Sequence, residues 1–200
     1  MKKVLSAGVF AALMAFGYTA SSSAADIGVP SGKYDMDPAH AYIAFSYTHM
    51  GFSHPILRFN KFNADLDFNS ADPTKSTLSV MVDPSSIDAG TDTFNEHLTS
   101  DRFFDTAKFK EITFKATSMK VTGDNTGTIT GNLTIKGMTH PVTLNVTMNK
   151  AGTNPMTQGP ALGFSATGTL KRSEWGLGAY APNVSDEVHL MIEAEFHKAK

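Results

Sequence analysis

From Tyr34 onward, apolar residues recur at every second position. In "PVTLNVTM", Val142, Leu144, Val146 and Met148 alternate with Thr143, Asn145 and Thr147. "TITGNLTI" and "EVHLMIEAEF" repeat the pattern, with Ile129, Gly131, Leu133 and Ile135 in one and Val188, Leu190, Ile192, Ala194 and Phe196 in the other. Such alternation predicts strands with one face in a core and the other in water. "AYIAFSY", "RFNKFNADLDF", "TLSVMV", "ITFKATSM" and "LGFSATGTL" bring the total to roughly eight strands, separated by turn-forming runs such as "ADPTK" and "GDNTG". Inside "RFNKFNADLDF" the apolar phase slips, from odd at Phe59 to even at Phe62, Ala64, Leu66 and Phe68, which predicts a bulge or bend near Lys61. "TFNEHL" predicts one short helix. Thr93 is read as its N-cap, Glu96 completes a capping box, and Phe94 and Leu98 share an apolar face. "NKAGTNPMTQGP" reads as a long loop.

An antiparallel sheet with one apolar face and almost no helix to cover it must cover itself, as a closed barrel or a two-layer sandwich. The pattern leaves both open. Its inward positions mix aromatics with small residues: Ala64, Ala116, Gly131, Ala166, Gly168 and Ala194. A barrel of this size is either packed full or holds one small ligand. The abundance of small residues favours an elongated apolar cavity. Phe45, Tyr47, Phe62, Leu66 and Phe114 are expected to line it from the first half of the chain. Gly131, Leu133, Leu144, Val146, Phe164, Ala166, Ile192 and Phe196 are expected to line it from the second. The short helix is expected to cover part of one end.

The start of the chain changes the address. Lys2 and Lys3 precede an apolar run over residues 4–18, and Ser23-Ala24-Ala25 offers a small-residue cleavage site. Residues 1–25 are therefore read as a signal peptide, and residues 26–200 as one exported domain in the periplasm or beyond the cell. No later stretch is long and apolar enough for stable membrane insertion. The chain has no cysteine, which excludes a disulfide framework and a lipid-modified cysteine. A net charge of -2 without any basic tract argues against nucleic acid as a partner.

Chemistry-bearing residues are sparse. His49 and His54 flank a glycine at a strand end, where they fit the mouth of a cavity better than the converging tetrahedral set that zinc requires. Arg58, Arg102 and Arg172 are the cations available to a polar headgroup, and Trp175 is placed at the same mouth. Ser165 lies in an alternating strand without the strand-turn-helix elbow that exposes a nucleophile, and no phosphate-cradling or dinucleotide loop occurs. No catalytic residue, metal ligand or cofactor is expected, and the chain is read as a binding protein, not an enzyme.

"YDMDPAHAYIAFSYTHMGFS", "FNEHLTSDRFFD", "ITFKATSM", "GNLTIKGMTHPVTLNV" and "VSDEVHLMIEAEF" together resemble the YceI-like family of exported, lipocalin-like proteins associated with polyisoprenoid binding. The resemblance runs through the whole chain after the signal. It implies a single closed all-β barrel in place of a sandwich, with an isoprenoid-type lipid, polyprenyl or quinone-like, along its interior. It also implies a carrier role and a barrel able to form a homodimer. Leu57 and Ala64 stand where the family commonly has glycine, so each side chain is expected to narrow the cavity locally. Two alternatives stay open: a filled, partner-binding barrel, and a metal or redox protein built on His40, His49, His54 and His97.

Overall fold

Alternation along the chain closes into a ring. The computed structural model describes residues 27–200, so the expected signal peptide lies outside the described residues. The strands are β1 (Gly32–Ser46), β2 (Ile56–Phe59), β3 (Phe62–Phe68), β4 (Thr77–Val82), β5 (Ile87–Asp88), β6 (Ile112–Gly123), β7 (Thr126–Ile135), β8 (Met138–Thr153), β9 (Pro160–Lys171) and β10 (Glu187–Lys198). Neighbours pair antiparallel in the order β10-β9-β8-β7-β6-β4-β3-β1, and β1 pairs back onto β10. That closes an eight-stranded barrel, as expected. Two short strands are added at one end, where β2 takes over from β3 along β1 and β5 pairs with β2.

The phase slip is a real break. β2 and β3 are separated at residues 60–61, so Phe59 and Phe62 both turn inward although one is odd and the other even. The neighbouring strand breaks at the same level. Asn60 and Lys61 donate through their amides to the carbonyl and hydroxyl of Ser86, and Asp83 donates to Lys61, in the 3-10 turn between β4 and β5. β1 also shifts register, pairing Met36 with Phe196 and then Ala41 with Ala194. The extra residues 37–40 are pushed out of the ladder as a bulge. Such breaks let strands turn a barrel corner.

Two expectations are corrected locally. The helix α1 (Asp92–Thr99) is capped by Thr91, whose hydroxyl accepts from the Phe94 amide, and not by Thr93 in a box with Glu96. Starting the helix two residues earlier still puts Leu98 in the core and Phe94 against it. Half of the long loop is strand: β8 runs to Thr153 and β9 begins at Pro160. Only residues 154–159 turn, held by the Asn154 side chain accepting from the amides of Met156 and Thr157. Pairing of Lys150–Thr153 with β9 carries β8 further than its apolar residues suggest.

The core divides in two. Leu57, Phe59, Phe104, Phe114 and Trp175 anchor one cluster at the α1 end, and Tyr34, Leu66, Phe68, Leu162 and Phe196 anchor the other toward the chain termini.

Candidate functional site

Between and along these clusters lies a cavity of about 410 Å³ inside the barrel. That size suits an organic ligand. It runs from Pro73, Ser76 and Met119 at the far end to Phe94, His97 and Tyr180 beside α1. Of the positions expected to line it, Phe45, Tyr47, Phe62, Leu66, Phe114, Leu133, Leu144, Val146, Phe164, Ala166, Ile192 and Phe196 do so. Each is on the inward phase of a barrel strand, or, for Tyr47, just past the end of one.

Gly131 does not line it, which corrects the sequence reading. A Cβ there would lie 2.4 Å from Phe114 Cζ, so the aromatic ring lies across the space the glycine leaves. Gly168 behaves in the same way toward Leu144 Cδ2, at 2.7 Å. Ala64, Ala166 and Ala194 do border the cavity. Leu57, expected to narrow it, reaches the lining from a buried position.

The mouth residues divide. His49 lines the cavity from a tight hairpin in which Met50 and Gly51 take positive φ values of 53° and 76° and the Phe52 amide donates to the His49 carbonyl. Two successive left-handed residues give the turn the twist a hairpin needs. The hairpin is tied to the loop after β9, since Met50 donates to the Asn183 carbonyl and Ser185 to the Thr48 carbonyl. Its tip carries Phe52, 88% exposed. His54, by contrast, is exposed beyond the hairpin and does not reach the cavity. Arg58 is also elsewhere, paired on the outer wall with Asp88 at 3.2 Å. Arg102 stands outside the lining, its guanidinium 4.5 Å from the Tyr180 ring centroid. Trp175 is 1% exposed and is not among the cavity-lining residues; its indole N–H donates to the Leu133 carbonyl, and it is packed into the core cluster at the α1 end.

Arg172 is the one buried charged residue among the described residues, 8% exposed, and the only one with a fixed charge in the cavity lining. Its Nε donates to the Ser185 carbonyl and Nη2 to the Val184 carbonyl, each at 2.9 Å, and Nη1 donates to the Leu177 carbonyl. One guanidinium thereby organises the loop that caps the barrel. Burial lowers its pKa, opposed by the charges of Asp186 and Tyr47. Asp186 is itself held below the usual carboxylate range, chiefly by the Ser173 hydroxyl. Burial raises the Tyr47 phenol, and the Arg172 charge opposes that rise.

Sequence reasoning missed the aromatic collar beside Arg172. The His97 ring packs against Phe94, Phe103 and Tyr180, with its centroid 4.8 Å from that of Phe103. Tyr180 comes from an irregular loop without periodicity, so only its aromatic character beside glycine and proline marked it. The four histidines of the metal alternative do not converge. His40 is on the outer wall, its Nδ1 2.8 Å from Asp37 Oδ2, while His49 and His97 are at the cavity end. Asp37, Glu195 and His197 bring ligand atoms within 4.8 Å of one another beside the β1 bulge. Ser165 faces outward, donating to Glu193 and accepting from Asn149.

The family model described as YceI-like domain matches residues 34–196. Protein YceI of Salmonella agona is 34% identical over 195 residues, covering 98% of this chain and 97% of its own. Among solved structures, BcnA of Burkholderia cenocepacia is similar with a TM-score of 0.73 and 25% identity, over 80% of this chain and 99% of that one. A polyisoprenoid-binding domain from Saccharophagus degradans shares the fold, with a TM-score of 0.61 at 12% identity, over 85% of this chain and 100% of that one.

Proposed function

The chain belongs to the YceI-like family, and from that premise we propose that it is a periplasmic carrier holding the tail of an isoprenoid-type lipid inside its barrel. The observation that carries this reading is the cavity: about 410 Å³, walled by aliphatic and aromatic side chains, with no carboxylate and a single guanidinium among its lining residues. Such a space rewards hydrocarbon. At about 0.8 kcal/mol per buried methylene, ten carbons contribute about 8 kcal/mol before ordering costs. A methyl-branched chain suits a tube bordered by the methyls of Ala64, Ala166 and Ala194 and the rings of Phe45, Phe62 and Phe164. The polyisoprenoid-binding domain that shares the fold supports the same class of ligand. The periplasmic address rests on the sequence of residues 1–25.

Native mass spectrometry of protein purified from its own periplasm, followed by organic extraction, tests the proposal. A discrete adduct matching a prenyl lipid is expected. Ala166→Phe fills the tube from its wall, so this variant is expected to fold and to emerge without the adduct. A bare polypeptide mass for the wild type, or an unchanged lipid load in folded Ala166→Phe, would overturn it.

A further inference from the structure

Of the cavity-lining residues among the described residues, only His49, His97 and Tyr180 are exposed, and all three lie at the α1 end. That is where the cavity reaches the surface. Two segments meet there through their backbones: His49 bridges to Val184, and the Met50 amide donates to the Asn183 carbonyl. Residues 47–56 and 177–184 hold no aspartate, glutamate, lysine or arginine, although 18% of the chain is charged. What they expose is carbon. Phe52 is 88% exposed, and Met50, Ile56 and Tyr180 are exposed with it. Exposed apolar residues are ordinary singly, whereas four on two joined segments beside one opening form a patch. The charge packed on Tyr180 is a cation, the Arg102 guanidinium. Phe52 is also held in place. Left-handed Met50 and Gly51 close the turn, the His49 amide donates to the Ser53 carbonyl and the Phe52 amide donates to the His49 carbonyl.

We propose that this hairpin docks on the surface of a phospholipid bilayer, with the Phe52 ring entering the interface and the cavity mouth turned toward the membrane. The proposal extends the carrier reading above by naming where the lipid enters and leaves. Aromatic rings settle at the level of the headgroups, where the ring meets the acyl boundary and polar neighbours stay wet. His49, Ser53 and His54 are such neighbours. An acid-free hairpin meets no repulsion from lipid phosphates, and Arg102 on Tyr180 has the sign they attract. One ring with three lesser contacts gives a reversible attachment, as a carrier that must depart requires. Nothing spans the bilayer. A protein partner fits the position less well, since the mouth would then open onto a second protein and not onto the phase that dissolves a hydrocarbon cargo.

Co-sedimentation with vesicles of phosphatidylcholine, alone or mixed with phosphatidylglycerol, tests this on protein purified from its own periplasm. The wild type is expected to bind both kinds. Phe52→Ser is expected to weaken binding by about tenfold, on the scale of burying one phenylalanine ring, and to leave the melting temperature unchanged. Met156 is as exposed as Phe52 but lies in the turn between β8 and β9, at the opposite end of the barrel, so Met156→Ser is expected to bind as the wild type does. Absence of wild-type binding, equal binding by Phe52→Ser, or an equal loss in Met156→Ser would overturn the docking hairpin. So would binding confined to the mixed vesicles, or a Phe52-dependent self-association that vesicles do not displace. The carrier is judged apart, by the prenyl adduct. A wild type that holds the adduct yet ignores vesicles overturns the docking hairpin alone, and one that binds vesicles through Phe52 without any adduct overturns the carrier alone.

Discussion

At the scale of single residues, an absent side chain is as specific as a present one. Gly131 sits opposite Ala116 in the β6–β7 pair, and a methyl added there meets both the Phe114 ring and the Lys115 carbonyl oxygen, at 2.4 and 2.6 Å. Backbone cannot give way cheaply, so Gly131→Ala is expected to lower unfolding stability by about 2 kcal/mol, read as a drop in the urea midpoint. At Gly168 the closest obstacle is the flexible tip of Leu144, with the Thr143 carbonyl oxygen at 3.4 Å, so Gly168→Ala is expected to cost less. Alternation in the sequence identified the inward phase of both glycines correctly. It could not reveal that a neighbouring ring occupies the space, because that depends on the register between strands. Arg172 shows the same limit. Its cationic character was plain, but its carbonyl partners lie 5, 12 and 13 residues away in an aperiodic loop.

Among the elements, the β1 bulge has the clearest electrostatic signature. Asp37 accepts from His40, from the Ala39 amide and from His197, and its pKa falls from 3.8 to about 2, with the His40 hydrogen bond the largest cause. A depressed carboxylate stabilises the fold above its unfolded pKa, and that contribution is lost as pH falls from 3.8 toward about 2. The His40 pKa is raised above 6.5 by the same bond, so its contribution is complete below 6.5 and lost as pH rises past the raised value. Asp37→Asn is therefore expected to narrow the urea-midpoint gap from wild type on both sides of a window between pH 3.8 and 6.5. A gap independent of pH would refute this assignment. Both histidine and carboxylate were visible in the sequence. The bulge that brings them together was not, since it appears only when β1 is laid against β10. The helix was legible for a different reason: the apolar pair Phe94 and Leu98 survives a wrong choice of cap, whereas the cap depends on whether Thr91 or Thr93 meets the free amides.

For the whole molecule, eight strands of matched amphipathicity were enough to predict self-covering, and the family resemblance settled barrel over sandwich. Alternation reads the end of β2 as the start of one bent strand with β3, whereas β5 escapes notice because a two-residue strand carries no alternation. A tube that binds hydrocarbon only when folded links occupancy to stability. Removing the lipid is expected to lower the melting temperature, and restoring it at a hundred times its dissociation constant is expected to return about 2.7 kcal/mol. An unchanged melt after complete delipidation would contradict binding inside the barrel. The closing pair also governs how the fold is reached. Tyr34 pairs with Lys198 and Ser46 with His189, so the ring is sealed by the two ends of the domain's own chain. Contacts this distant in sequence form slowly, because a long loop must be closed before they are rewarded. Until β10 arrives, the nascent sheet has two open edges and an uncovered apolar face. Premature truncation ahead of Glu187 would thus leave an adhesive intermediate with both barrel edges open, and emergence of the final strand commits the chain to the closed ring.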